Sequence, residues 1–350
     1  MTTKNVIILG VAAVVLGGAA YLTSSGTKVR TPSLNGKSVV KAFNIADVAR
    51  VELGDKLVLV AGEQGWTVET LYGYPADVVK IRENVLKLAE LKVGQVARGR
   101  KIDSPVKLAL KDAKGKELAQ LEIGEQHFAK PRGGMPMYGG AYPDGRYVKY
   151  ADQTVLVKDA LDAFDGDWKK WVNTCICQLP SDGAVEVKFV SGKEAVELKR
   201  DGKDWTMSGL GVKEELDTSK VHAVDSALSY LDMVNVADPK LTEAELGFAT
   251  GAVYSVAFKD GKKYVAKLGN TTDEGRYLKL EASFTPVGTN AVENAAIESA
   301  VKAFNSMSGK WTYVIQSYAA DSMAKTRKDF VKAKEEPKPA SGKADAAAGK

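Results

Sequence analysis

Two histidines and two cysteines among 350 residues leave little material for a metal centre or for thiol chemistry. A tetrahedral zinc site needs four ligands, and His127 and His222 lie far in sequence from Cys175 and Cys177. Phosphate-cradling loops are missing as well. Neither a G-x-G-x-x-G nor a G-x-x-x-x-G-K-[ST] phrase occurs, so ATP hydrolysis by this chain is not expected. A basic face for nucleic acid is also lacking. The net charge of +5 resides in Lys4, Lys28 and Arg30 at one end and in the Lys-rich segment 331–350 at the other, which leaves residues 31–330 neutral overall. Phosphate binding requires clustered cations, so no nucleic-acid partner is expected. Mean hydropathy of −0.18 with 27% charged residues excludes a multi-span membrane protein, and 45% hydrophobic residues exclude a disordered chain.

One long apolar run is present, Val6–Leu22, with Lys4 before it and Lys28 and Arg30 after it. Seventeen residues at helical rise span roughly 25 Å, just under a hydrocarbon core of about 30 Å, and the uncharged stretch continues to Thr27. Two readings stay open: a cleaved signal peptide ending near Gly18 and Ala20, or a retained anchor. The length of the apolar core and the interfacial Tyr21 favour the anchor. The first cysteine of the chain is Cys175, so no lipid-bearing cysteine follows the run. The expected address is therefore the cytoplasmic (inner) membrane, single-pass through Val6–Leu22, with the body on the periplasmic side.

The body reads as a duplication. Trp66 in EQGWTVETL matches Trp205 in GKDWTMSGL, and each is followed by a helix start, at Asp77 and at Asp217. LALKDAKGKELAQLEIG (108–124) matches YSVAFKDGKKYVAKLG (254–269), and Gly145-Arg-Tyr-Val-Lys-Tyr matches Gly275-Arg-Tyr-Leu-Lys-Leu. A helix leading to Trp168 is set against one leading to Trp311. Apolar residues at 81, 85, 88 and 91, and at 221, 224, 228 and 231, predict a long helix in each unit. The fold expectation is α+β: a tandem β-β-β-α-β-β-β-β-α unit with antiparallel sheets, preceded by one N-terminal transmembrane helix. The expected divisions are an anchor or signal segment at 1–30, a first repeat at 31–175, a second at 176–330 and a flexible Lys/Ala/Pro tail at 331–350.

The order GW-x-V, YPAD at a helix head, L-x-L-K-D-x-x-G-K, L-x-I-G and GRYVKY resembles the uncharacterised bacterial family called domain of unknown function 4340. The resemblance covers 48–172 and, more loosely, 184–315. It implies an N-terminally anchored protein related to auxiliary components of gliding-motility-type ABC-2 transporters, and it brings no catalytic residues with it.

The repeated residues have structural explanations: core packing for Trp66 and Trp205, caps for Asp77 and Asp217, cross-strand ion pairs for Arg146 and Arg276. Cys175 and Cys177, two apart in an extended segment, read as small semi-buried residues, with a redox pair or intermolecular bridge as the alternative. His127 has no triad partners nearby, and Asp165 and Asp167 read as a turn at a helix end. One segment escapes. From Gly124 to Gly145 the first unit takes 21 steps and from Gly269 to Gly275 the second takes 6. The extra Gly-, Pro-, Met- and Tyr-rich residues are the candidate partner-binding loop, with Arg132, Met135, Met137, Tyr138 and Tyr142 as its contact side chains. Long loops in compact domains are usually functional or disordered. The expected function is a non-enzymatic, membrane-anchored extracytoplasmic binding or accessory protein of a transporter or envelope complex, without cofactor or metal. The alternatives are a structural scaffold of an envelope assembly, or an enzyme acting on envelope polymers through Asp165, Asp167 or His127.

Overall fold

The computed structural model describes residues 33–129, 142–180, 182–221 and 223–334. Period-two alternation fixes the strands. In β1 (Arg50–Leu53) Val51 and Leu53 are fully buried while Arg50 and Glu52 are not, and β2 (Leu57–Gly62) buries Leu57 and Leu59. The opposite face is ionic: Glu52 accepts from Arg50 and from Lys111, each at 2.7 Å. β3 (Gly65–Val68) and β4 (Tyr74–Pro75) continue the meander. The helix α1 (Val78–Glu90) then begins where Asp77 accepts from the N–H groups of Val79 and Lys80 at 2.9 and 3.3 Å. It buries Ile81, Asn84, Val85 and Leu88. After it come β5 (Val93–Val96), β6 (Val106–Lys111), β7 (Glu117–Ala129), β8 (Tyr142–Tyr150) and β9 (Gln153–Val157). They form an antiparallel nine-stranded sheet in the order β4-β3-β2-β1-β6-β7-β8-β9-β5.

The second half supplies β10 (Cys175–Cys177), β11 (Ala184–Ser191), β12 (Glu194–Asp201), β13 (Asp204–Met207), β14 (Glu214–Leu216), α2 (Thr218–Val221), β15 (Leu231–Val236) and α3 (Glu243–Leu246). It continues with β16 (Val253–Phe258), β17 (Lys262–Thr272), β18 (Gly275–Phe284), α4 (Ala291–Met307), β19 (Thr312–Ile315), α5 (Ser317–Met323) and β20 (Val331–Ala333). Its nine-stranded sheet runs β13-β12-β11-β16-β17-β18-β19-β15-β10, so from β3 and from β13 inward the two orders correspond strand for strand. The registers agree too. Ala61 faces Trp66 as Arg200 faces Trp205, Ile123 faces Val148 as Leu268 faces Leu278, and Arg146 faces Val157 as Arg276 faces Ile315. The carbonyl of Trp171 accepts the Asp77 N–H at 2.7 Å, and that of Phe330 accepts the Asp217 N–H at 2.8 Å. The fold class is thus α+β with antiparallel sheets. The halves meet where the Tyr74 ring packs edge-on against Trp311, with centroids 5.1 Å apart.

Four expectations are corrected. No helix closes the first half: β9 leads into 3-10 turns at Asp162–Asp165 and Trp168–Lys170. In the second half α4 is inserted between β18 and β19, where the first half turns at Ala151 and Asp152. Trp311 therefore precedes β19 in the position of Gln153, and it is not the counterpart of Trp168. Next, the long helix after Asp217 shrinks to α2 followed by turns. Ser226 and Ser229 donate back to the carbonyls of Ala223 and Ser226, and the buried Tyr254 hydroxyl takes the Val224 carbonyl at 2.8 Å, removing acceptors from any helical ladder. Finally, Val331–Ala333 lie in the stretch expected to be a tail, yet they form a strand paired with β14. The run Val6–Leu22 lies outside the described residues, and among those described no helix is long and apolar enough to cross a membrane.

Candidate interaction site

The repeated L-x-I-G and G-R-Y phrases meet in space. The β7–β8 register slips between Ile123 and Gln126, and the β17–β18 register slips between Leu268 and Thr271, so each half carries a β-bulge at its glycine. A bulge leaves a carbonyl out of the ladder, and such a group must be bonded elsewhere. Arg146 donates from Nε to the Gly124 carbonyl at 2.8 Å, and Arg276 donates from Nε to the Gly269 carbonyl, also at 2.8 Å. The glycines before these arginines sit at φ +142° and +152° in contact with the next strand. A Cβ at Gly145 would collide with the Val157 carbonyl oxygen, and one at Gly275 with that of Ile315. The shared motif is therefore a backbone staple. In the first half Arg146 is buried and also donates to the carbonyls of Ala160 and Leu161, both at 3.3 Å, and it pairs with Asp165.

This geometry accounts for the other candidate groups. Asp165 is the partner of Arg146, and Asp167 caps the turn Trp168–Lys170 by accepting from the Lys169 N–H at 3.0 Å. Trp205 is buried, with the Arg200 guanidinium 4.4 Å above its ring, and Arg200 pairs with the buried Asp225 at 2.6 Å. Trp66 is partly buried against the core. Cys175 and Cys177 are unlinked on β10, and burial pushes the Cys177 thiol up to about 12, which keeps it protonated and inert at neutral pH. His222 lies outside the described residues.

Beyond the staple the halves part. Gln126 faces Arg146 and His127 faces Gly145, as Thr271 faces Arg276 and Thr272 faces Gly275. The second half turns at once through Asp273 and Glu274. The first continues as an arm in which Phe128 pairs with Pro143 and Ala129 with Tyr142, after a further register shift between His127 and Phe128. Phe128 is 49% exposed and Tyr142 is 55% exposed. Arg132, Met135, Met137 and Tyr138 lie outside the described residues, so Tyr142 alone of the predicted contacts is placed, at the foot of the loop. Sequence reasoning missed Phe128, because the extra length was counted between glycines rather than from the last shared strand pair. The foot is braced. Gln126 donates to Asp162, the His127 ring packs edge-on to Tyr147 with centroids 5.7 Å apart, and the Arg100 guanidinium lies 3.9 Å from the centre of that tyrosine ring. Arg100 also pairs with Glu125 at 2.7 Å. The Glu125 carboxyl is held below the usual carboxylate range by its own backbone N–H and by that guanidinium.

The features in view define an α+β protein of two matching antiparallel sheets, whose repeated residues hold bulges and whose distinctive surface is an exposed arm on one half. The chain belongs to the family described as domain of unknown function (DUF4340), which it matches over residues 66–251, from β3 of the first sheet to the threshold of β16 in the second. No curated protein and no solved structure matches the chain.

Proposed function

We propose that this protein is a membrane-anchored, extracytoplasmic accessory protein, without enzymatic activity, that binds a partner of a transporter or envelope complex through the β7–β8 arm. The observation that carries this reading is the asymmetry between the halves. The staple recurs and serves the backbone, whereas the arm occurs once, exposes two aromatic rings and is not needed to close the sheet. Aromatic side chains on a braced protrusion supply large contact area at low conformational cost, as at protein interfaces generally. The apolar run Val6–Leu22 and the anchored character implied by the family resemblance support the location. The engagement of Asp165 with Arg146 and of Asp167 in a cap supports a role without acid–base chemistry. The two halves are read as products of one duplicated unit, and an ABC-2-type transporter is the partner first to be tested.

The test is capture from membranes solubilised in mild detergent, comparing the full chain with a variant in which Ala129–Pro143 is replaced by Asn-Gly. Since loop-closure entropy changes by only about 0.6 kcal/mol per doubling of length, the shortened hairpin should melt within a few degrees of the parent. Loss of a permease or envelope partner from the captured set, with the fold intact, is the expected result. An unchanged set of partners would show that the arm is not the recognition surface.

A further inference from the structure

We infer that the basic end of the first sheet, around the β5–β6 connection, rests on the anionic headgroups of the membrane that holds the chain; this inference builds on the anchored reading above. The connection reads A-R-G-R-K and carries Arg98, Arg100 and Lys101 against one acid, Asp103. The equivalent connection of the second half, between β15 and β16, carries Asp238, Glu243 and Glu245 against Lys240. The body has no net charge, so this is a local inversion of charge between corresponding connections of the two halves. It falls on the half that follows the apolar run.

The position of the incoming chain selects the ligand. The Gly36 N–H donates to the Val93 carbonyl at 2.8 Å and the Val93 N–H donates to the Lys37 carbonyl at 2.9 Å, which pins the incoming segment to β5 at the sheet edge. Ser33 and Lys37 line a cleft of about 550 Å³ together with Arg98 and Gln153. Through Arg98 and Gln153 this cleft continues into a second of about 500 Å³ lined also by Lys101 and Lys149. Lys149 pairs with Glu122 and Arg100 with Glu125, whereas Lys37, Arg98 and Lys101 are exposed and make no ion pair among the described residues. Ten residues lie between Leu22 and Ser33, eleven steps along the chain, and an extended chain covers at most about 3.6 Å per step, so the tether is under about 40 Å long. Lys28 and Arg30 lie within it. A short cationic tether leading into a cationic cleft matches a juxtamembrane electrostatic contact, in which each Lys or Arg at an anionic surface strengthens association roughly fivefold.

The experiment uses the full chain reconstituted in vesicles of phosphatidylcholine alone or with added phosphatidylglycerol, and reads backbone hydrogen exchange over residues 95–103. Exchange slowed about tenfold in the anionic vesicles only, and restored by high salt, is the expected result. The same exchange rate in both vesicles overturns the proposal. So does protection that persists in an R98Q/K101Q variant shown by its melting temperature to be folded; if that variant does not fold, the salt titration of the parent decides. Alkaline extraction separates the two readings. A chain released from both vesicle types fails the anchored reading itself, whereas a retained chain with an unprotected loop fails this proposal alone.

Discussion

Replacing Arg146 by alanine should harm the fold far more than the same change at Arg276, although the two occupy one position of the repeated motif. Arg276 makes a single 2.8 Å bond to a bulge carbonyl and is partly exposed. Arg146 makes that bond too, and adds two longer bonds to the carbonyls of Ala160 and Leu161 in a buried setting. A hydrogen bond from a charged donor contributes about 1.5–3 kcal/mol, and removing the donor leaves buried carbonyls unsatisfied. The Asp165 side chain is nearly half exposed, so that ion pair adds about 0–1 kcal/mol. Because the longer bonds count for less and such contributions are not additive, the expected loss is about 3–5 kcal/mol for Arg146→Ala and about 1–2 kcal/mol for Arg276→Ala. Equilibrium urea unfolding followed by far-ultraviolet circular dichroism would measure both, with tryptophan fluorescence testing whether the halves unfold together. Equal losses, or a larger loss at Arg276, would refute the account of Arg146 as the anchor of three carbonyls.

The glycines before these arginines give a sharper contrast. Gly145→Ala and Gly275→Ala should each destabilise by several times the ~1 kcal/mol of an ordinary Gly→Ala strain effect, because the new Cβ meets a backbone oxygen that cannot rotate away; a melting temperature within a few degrees of the parent for either would count against the close-approach argument. Burial also predicts the behaviour of the thiols. With Cys177 raised from near 9 to about 12, the unfolded chain releases its proton at lower pH than the native one, so this group's contribution to stability is intact below 9 and is lost as pH rises from 9 towards 12. At pH 8 the native protein should react with a maleimide at Cys177 only after denaturant is added, and rapid labelling of the folded chain at that position would sink the argument.

Most strands were legible because each half writes them in alternating apolar residues ended by turn glycines. The pairing of Trp66 with Trp205 and of Gly145-Arg-Tyr with Gly275-Arg-Tyr carried over into equal registers for the same reason. The first half nevertheless has four strands before its helix and five after it where three and four were expected, the short β4 (Tyr74–Pro75) and β5 (Val93–Val96) offering too few residues to alternate. The helix after Asp217 misled because Val221, Val224 and Leu228 are indeed buried. Burial at spacings of three and four does not require an unbroken helix, and side-chain hydrogen bonds back to the turn carbonyls break this one. The match of Trp168 with Trp311 failed because a helix inserted before one strand and a turn placed after another look alike when only their order is read. The basic connection 97–101 escaped notice since a neutral total conceals local clusters of opposite sign.

The two features that distinguish the first half are joined through one side chain. Arg100 belongs to the basic connection, and its guanidinium lies over Tyr147. His127 belongs to the foot of the arm, and its ring meets the same tyrosine edge-on. Glu125, one strand position from Gln126, ties Arg100 to β7 directly. Tyr147 is 7% exposed, whereas its counterpart Tyr277 is only partly buried. The foot of the arm and the connection thus share the Tyr147 ring and are linked by the Arg100–Glu125 ion pair. The shared residues of the repeat hold two similar sheets, while the basic connection and the arm, which the second half lacks, lie at the same end of the first sheet and meet at Tyr147.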